Sequence, residues 1–382
     1  GMNVSVRDKN ALTLDASTIG GNFSVQTAGD MDNTGAISVA GTTTLTATQV
    51  VGGMNIADID LSAANDFSGA VSVTSARNLS LKDVNALAVT AQISGNMSAT
   101  SGGALSLGAL SVGGAAQFKA DGDIVDTGNL LITGTVSLDA GSHDVVFNND
   151  NQFGDWVTAV AANNLSLKDV GAQLKFQGKV DNDVSLTGVG LVLGTTQVGH
   201  NLSLTATSGG IALGRVAVGN DLVIVTASDL SDTGVVSVAG LTSITASGQA
   251  SVALNSADND FVGAVTVLQS NHLTLVDRNG LTLSSLNASG DVSLTAGAAL
   301  SLGTLSAATL VAQSTGAMTD AGALTVTGLT SLNAGTSDIA LDNANNFGGA
   351  VAIAQAKNVV LNDINALVLG ASSLAGNLTR SE

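Results

Sequence analysis

From Asn3 to Arg380 the chain alternates apolar and polar residues in short bursts, broken by turns of Gly, Asn, Ser, Thr and Asp. A period of two marks a strand with one buried side, and Gly or Asn at the breaks marks a tight bend. A typical unit, NLSLTATSGGIALGRVAVGN from Asn201 to Asn220, holds three such bursts, LSL, IAL and VAV. Apolar residues at helical spacing fit no part of the chain. The pattern therefore predicts three short strands per unit of about 19 residues and no helix.

The units repeat at two levels. The block NLSLKDVNALAV from Asn78 returns as NLSLKDVGAQLKF from Asn164, HLTLVDRNGLTL from His272 and NVVLNDINALVL from Asn358, and the chain opens on NVSVRDKNALTL from Asn3. A second marker precedes each later copy: Phe67, Phe153, Phe261 and Phe347, spaced by 86, 108 and 86 residues. Between markers the strand starts fall 18 to 20 residues apart, and the step that contains the Phe motif stretches to 29 or 31. Before Leu79 the long step reaches 36, which reads as one missing unit. Counted in this way the chain has about 17 units.

No single unit can bury its own apolar side. Stacked units can, with equivalent strands paired in parallel along an axis. The inward ladder would run through Leu165, Val184, Leu202 and Leu222, with Leu167, Leu186, Leu204 and Ile224 two residues on. The expectation is an all-β, single-stranded parallel β-helix of about 17 coils over residues 3–380, one continuous array about 80 Å long at ~4.8 Å per coil. The long steps are expected to carry protruding loops at the Phe motif, with each Phe a plug beneath its loop. Residues 1–2 read as an expression scar and the array as an internal part of a longer one, whose neighbouring coils would cover its ends and serve as its first partners.

Composition narrows the function classes. Pro and Cys are absent, and a Pro-free chain suits a ladder in which nearly every strand is central. Aromatic residues make up 2% and charged residues 11%, under half the usual ~25%, so the core is aliphatic and the surface is built from Ser, Thr, Asn and Gly. The net charge of −18 with only 12 Lys and Arg argues against nucleic acid and against an anionic membrane surface. No apolar run approaches the ~20 residues of a membrane span, and no signal peptide is evident. Absence of Cys fits both the cytosol and export through a pore that excludes disulfide-locked structure.

The units NLSLTATSGGIALGRVAVGN and DVSLTAGAALSLGTLSAAT, with the block ANDFSGAVSVTSARNLSLKDVNAL, resemble the repeats of bacterial filamentous-haemagglutinin-like exoproteins, the large two-partner-secretion adhesins and similar autotransporter passengers. The resemblance covers Asn3 to Arg380. It implies a right-handed β-helix shaft, secreted across the outer membrane and displayed at the bacterial cell surface or shed, in proteins of cell attachment, aggregation or contact-dependent competition. Secretion domains of such proteins carry an Asn-Pro motif, and a chain without Pro is then shaft.

Candidate chemistry is sparse. Asp8, Asp83, Asp169, Asp277 and Asp363 hold one position of the opening block. As calcium ligands or general acids they would need to converge, but they lie three to five coils apart, so turn residues bonding their own backbone are preferred. Asp123, Asp126, Asp229, Asp232 and Asp320 form a second recurrent set with the same reading, and the oxygen-rich stretch from Asn148 to Asp155 is the one place that leaves calcium open. His143, His200 and His272 are not equivalent and show no recurrent acidic or Ser partner. Trp156 stands where its relatives have Ala70, Ala264 and Ala350, a poor sugar platform by itself. The Asn-x-Ser/Thr triplets at Asn22, Asn78, Asn96, Asn164, Asn201 and Asn377 are glycan acceptors or simply turn Asn before a strand.

No catalytic, cofactor or metal site is assigned. The expected function is a non-catalytic, monomeric shaft segment. Carbohydrate or host-surface binding by the long-step loops is the alternative, and a β-helix polysaccharide lyase or hydrolase stands further back.

Overall fold

The structure, a computed structural model, describes residues 1–380 and is all-β, with no helix among them. Two compact units divide the chain, one over Gly1–Val189 and one from Gly190 onward. Each is a parallel β-solenoid in which the chain passes alternately along two opposed faces.

In the first unit, one face stacks Val4–Asp8, Phe23–Thr27, Thr43–Ala47, Val71–Ala76 and Leu87–Ile93, and continues to Val184–Gly188. The other stacks Met31–Asn33, Ile59–Phe67, Leu79–Asp83, Met97–Ser101, Ala116–Ala120, Val136–Asp139 and Val157–Ala161. The second unit repeats the plan, for example Leu202–Ala206, Leu222–Thr226, Thr242–Ala246 and Val265–Ser270 on one face. Each unit makes about ten turns, so the chain makes about twenty.

Period two puts every second side chain inside, and most of those positions are aliphatic. The predicted inward ladder holds within each unit: Leu165 pairs with Val184 and Leu167 with Leu186, Leu202 pairs with Leu222 and Leu204 with Ile224, and all eight are buried. Each such side chain contributes about 1.5–3 kcal/mol by leaving water. β-Branched residues and leucines stacked at ~4.8 Å fill the interior, while backbone N–H and C=O groups pair coil to coil.

The count of 17 requires correction, and the reason is geometric. In an ordinary coil one face carries a straight five-residue strand, such as Met97–Ser101, and the other a bent pair of segments, such as Leu105–Val112. After each Phe the chain makes two straight strands in succession: Val71–Ala76 then Leu79–Asp83, Val157–Ala161 then Leu165–Asp169, Val265–Ser270 then Leu273–Asp277, Val351–Ala356 then Val359–Asp363. The straight and bent edges thereby exchange faces. A long step is one and a half turns, not one.

Within the first unit the block at Leu79 and its copy at Leu165 consequently lie on opposite faces, and the same holds in the second unit for Leu273 and Val359. One ordinary turn is indeed missing before Leu79, since Val4 to Leu79 makes three and a half turns and Leu79 to Leu165 four and a half, while the step from Thr43 itself contains one full turn to Val71 and a half turn beyond.

The protruding loops expected at the Phe motif are replaced by strand. Ile59–Phe67, Val145–Phe153 and Ile339–Phe347 are nine-residue bent strands, and the third copy is split into Val252–Leu254 and Asp260–Phe261. The four Phe rings are core residues paired with the preceding coil, Phe67 with Val39 and Phe153 with Ile132. The protrusion sits elsewhere. After Thr43–Ala47 a hairpin of Val50–Val51 and Met54–Asn55 turns on Gly52 and Gly53, both at positive φ. The other three long steps make a short turn there, on Gly141, Gly248 and Gly335, also at positive φ.

Candidate functional site

The recurrent polar cluster lies inside the face-changing coils. Asn65, Asn151, Asn259 and Asn345 stand two residues before the four Phe residues and, like them, point inward, fully buried. Each Oδ1 accepts a backbone N–H of the preceding coil, from Ile37, Leu130, Val236 and Leu324 at 2.8–2.9 Å. The Nδ2 groups of Asn151, Asn259 and Asn345 donate to Asp126, Asp232 and Asp320 at 2.8, 2.6 and 2.8 Å. In the first copy Asn33 fills the Asp position and its amide donates to Asn65.

The second acidic set is thus bound to the following coil and not to its own turn. Asp126 accepts the amides of Asn148 and Asn149, Asp232 those of Asn255 and Ser256, and Asp320 those of Asp342 and Asn343. Asp123 and Asp229 each accept one further coil-to-coil amide, from Asp144 and Ser251. The oxygen-rich stretch from Asn148 is part of this arrangement: Asn151 is core, and Asp150 pairs with Lys168 at 2.6 Å.

The first acidic set does bond its own turn. Asp8, Asp83, Asp169, Asp277 and Asp363 accept the N–H two residues on, from Asn10, Asn85, Gly171, Asn279 and Asn365 at 2.7–3.2 Å. The last four are also interior groups. Asp83, Asp277 and Asp363 accept the N–H of Phe67, Phe261 and Phe347, and Asp83, Asp169 and Asp363 stack in register with the buried Asn of the preceding coil. Burial pushes the carboxyls of Asp83, Asp169 and Asp277 above the ordinary range, against the opposing pull of their amide donors.

The Asn-x-Ser/Thr residues form a surface ladder. The side-chain oxygens of Asn22, Asn78, Asn96, Asn164 and Asn201 accept the amides of Thr42, Asn96, Ala115, Asp183 and Asp221 one coil on. Asp58 and Asp144 belong to it, and both carboxyls lie below the usual range, Asp58 chiefly through its bond from Arg77 and Asp144 chiefly through its bond from Asn163. His272 takes a ladder position as well, its Nδ1 accepting the Asp291 amide at 3.0 Å.

His143 and His272 each face an Asp of an adjacent coil, Asp123 at 3.8 Å and Asp291 at 3.6 Å, and the two pairs are not equivalent. Trp156 is half-buried at the corner of Ala70, Ala264 and Ala350, an equivalence seen in the shared bond that each carbonyl accepts from the first amide of the preceding coil's strand, at Val136, Thr43, Thr242 and Thr330. Among the described residues no three His, Cys, Asp or Glu side chains are grouped to hold a metal. A shallow groove of about 440 Å³ runs over the outer face of the first unit along Asp60, Ser80, Ser98 and Gln117, flanked by Asp58 and Asn78.

Sequence reasoning missed the interior asparagines. The signal was present, since a residue two before an inward Phe shares its face. With this geometry in place, a family model described as repeats of unknown function (DUF5649) is found to match residues 1–74, 76–125, 94–160, 199–268 and 289–354, most of the chain. The chain belongs to this family. No curated protein and no solved structure matches it. In this DUF5649 chain the recurrent polar residues therefore act on one another and on the backbone. What they do chemically is satisfy amides that the ladder cannot reach.

Proposed function

We propose that the chain is a structural shaft segment of a secreted or cell-surface bacterial adhesin-like exoprotein, non-catalytic, right-handed in its winding as the haemagglutinin-like resemblance implies, and built to carry other parts of such a protein away from the cell. One observation supports it above the rest: the recurrent Asp and Asn side chains are spent on coil-to-coil hydrogen bonds and do not converge on a solvent-facing point. The acidic surface discourages such segments from adhering side to side.

The test is a deletion of residues 79–164, which joins equivalent copies of one block. A shaft keeps its fold and loses four and a half turns, about 22 Å of length at ~4.8 Å per turn by small-angle scattering. Collapse of the β signal on deletion would remove the reading.

A second reading is favoured by the groove over Asp60, Ser80, Ser98 and Gln117, whose carboxylate, hydroxyls and amide suit a neutral glycan. Saturable binding in a glycan panel, lost on Asp60→Ala with Gln117→Ala, would establish it in place of a bare shaft.

A further inference from the structure

Four buried carboxylates recur at the points where the solenoid exchanges its edges. Asp83, Asp169 and Asp277 are only 1–2% exposed, and Asp363 is buried beside them in kind. Their partners are neutral: backbone amides, with buried Asn65, Asn151, Asn259 and Asn345 on the preceding coil. Asp169 and Asp363 each keep one oxygen with no hydrogen-bond partner among the described residues.

Charge around them does not compensate. Asp66, on the strand before Asp83, adds like charge. Asp260 does the same at Asp277, partly offset by Arg278, which is itself paired with Asp260. No charged side chain faces Asp169: Lys168 and Asp150 pair on the outer surface beside it.

We propose that the face-changing coils of Asp83, Asp169 and Asp277 are acid-tightened joints, in which these three buried carboxylates loosen the coil at neutral pH and lock it as the surroundings become acidic. An ionised carboxylate with neutral partners is costly in the interior, while its protonated form is not. The sign follows from linkage. The folded state binds the proton more tightly than the unfolded chain, whose Asp titrates near ~3.9. Stability is therefore full below that value and is lost as pH rises through the raised folded pKa of Asp83, Asp169 and Asp277. The regular coils between joints, with aliphatic interiors, lack this response.

The experiment is amide exchange on the intact chain at pH 3.5 and 7.5, corrected for intrinsic rates. Peptides spanning 65–85, 151–171 and 259–279 should gain protection several-fold at the lower pH. The peptide 97–112 should change little. Asp83→Asn, Asp169→Asn and Asp277→Asn together should flatten the response, while Asp121→Asn, Asp258→Asn and Asp342→Asn, the same charge change at exposed sites, should leave it in place. Equal gains in all peptides, or a response lost in the exposed-site variant, would assign the effect to net charge and overturn the proposal. If the buried-site variant does not fold, the contrast between the joint and regular peptides of the unaltered chain decides.

Discussion

The regular coil at Met97–Val112 and the face-changing coil at Val145–Asp169 share a backbone plan but not an interior. In the first, Met97, Ala99, Leu105, Leu107, Leu110 and Val112 fill the inside, and Ser101 turns its hydroxyl to backbone carbonyls at the corner. In the second, Asn151 and Asp169 stand among Phe147, Phe153 and Leu167. The pairing explains the contrast. The straight strand Met97–Ser101 stays in register with both neighbours and the bent segment Leu105–Val112 slips by one residue, whereas the face change shifts register by two between Phe147 and Asn151, and the first and fourth copies shift likewise between Leu61 and Asn65 and between Leu341 and Asn345. A shift leaves amides without ladder partners, and a buried amide without a partner costs about 1–3 kcal/mol. Asn and Asp side chains supply the missing acceptors.

The comparison breaks first at Asn151. Asn151→Leu strands the Leu130 amide and the Asp126 carboxylate and should cost about 3–5 kcal/mol, read by hydrogen exchange because solenoid coils open locally. A loss under 1 kcal/mol would mean that water takes over the asparagine's bonds. In a regular coil, Leu204→Ala should cost about 2–5 kcal/mol through lost burial and the cavity left behind, with no change in the protection of coils more than two away.

Smaller effects have the opposite sign. Thr43, Thr242 and Thr330 begin the strand that precedes each Phe step, fully buried with unpartnered hydroxyls, and the remaining copy has Val136 there. Thr242→Val should stabilise by about 1 kcal/mol in chemical denaturation. Ser270 is likewise buried and unpartnered where the other copies have Ala76, Ala162 and Ala356, so Ser270→Ala should raise the same midpoint by a smaller step. Removing the exposed Lys119–Asp139 pair by Lys119→Gln should leave the midpoint where it is.

Much of the architecture was legible in the chain. Alternation named the strands and their inward residues, and the recurrence of Leu and Val at 18 to 20 residues named the parallel stacking, because a period-two strand has only two faces and one must be buried. Turn Asp residues were read correctly as far as Asp8, Asp83, Asp169, Asp277 and Asp363 bond their own backbone. Asp126 escaped that reading, since its acceptor role depends on which amides of the next coil arrive beside it.

By itself, then, the sequence determined an all-β repeat protein with an aliphatic interior and a polar, acidic exterior, through local periodicity and residue type. Only the tertiary structure decided the number of turns, the face on which each copy of the block lies, and the inward place of the asparagines. Those depend on which strand pairs with which. A step of 29 residues reads the same along the chain whether it closes one turn with a loop or one and a half turns without one, and the hydrogen-bond register alone distinguishes the two.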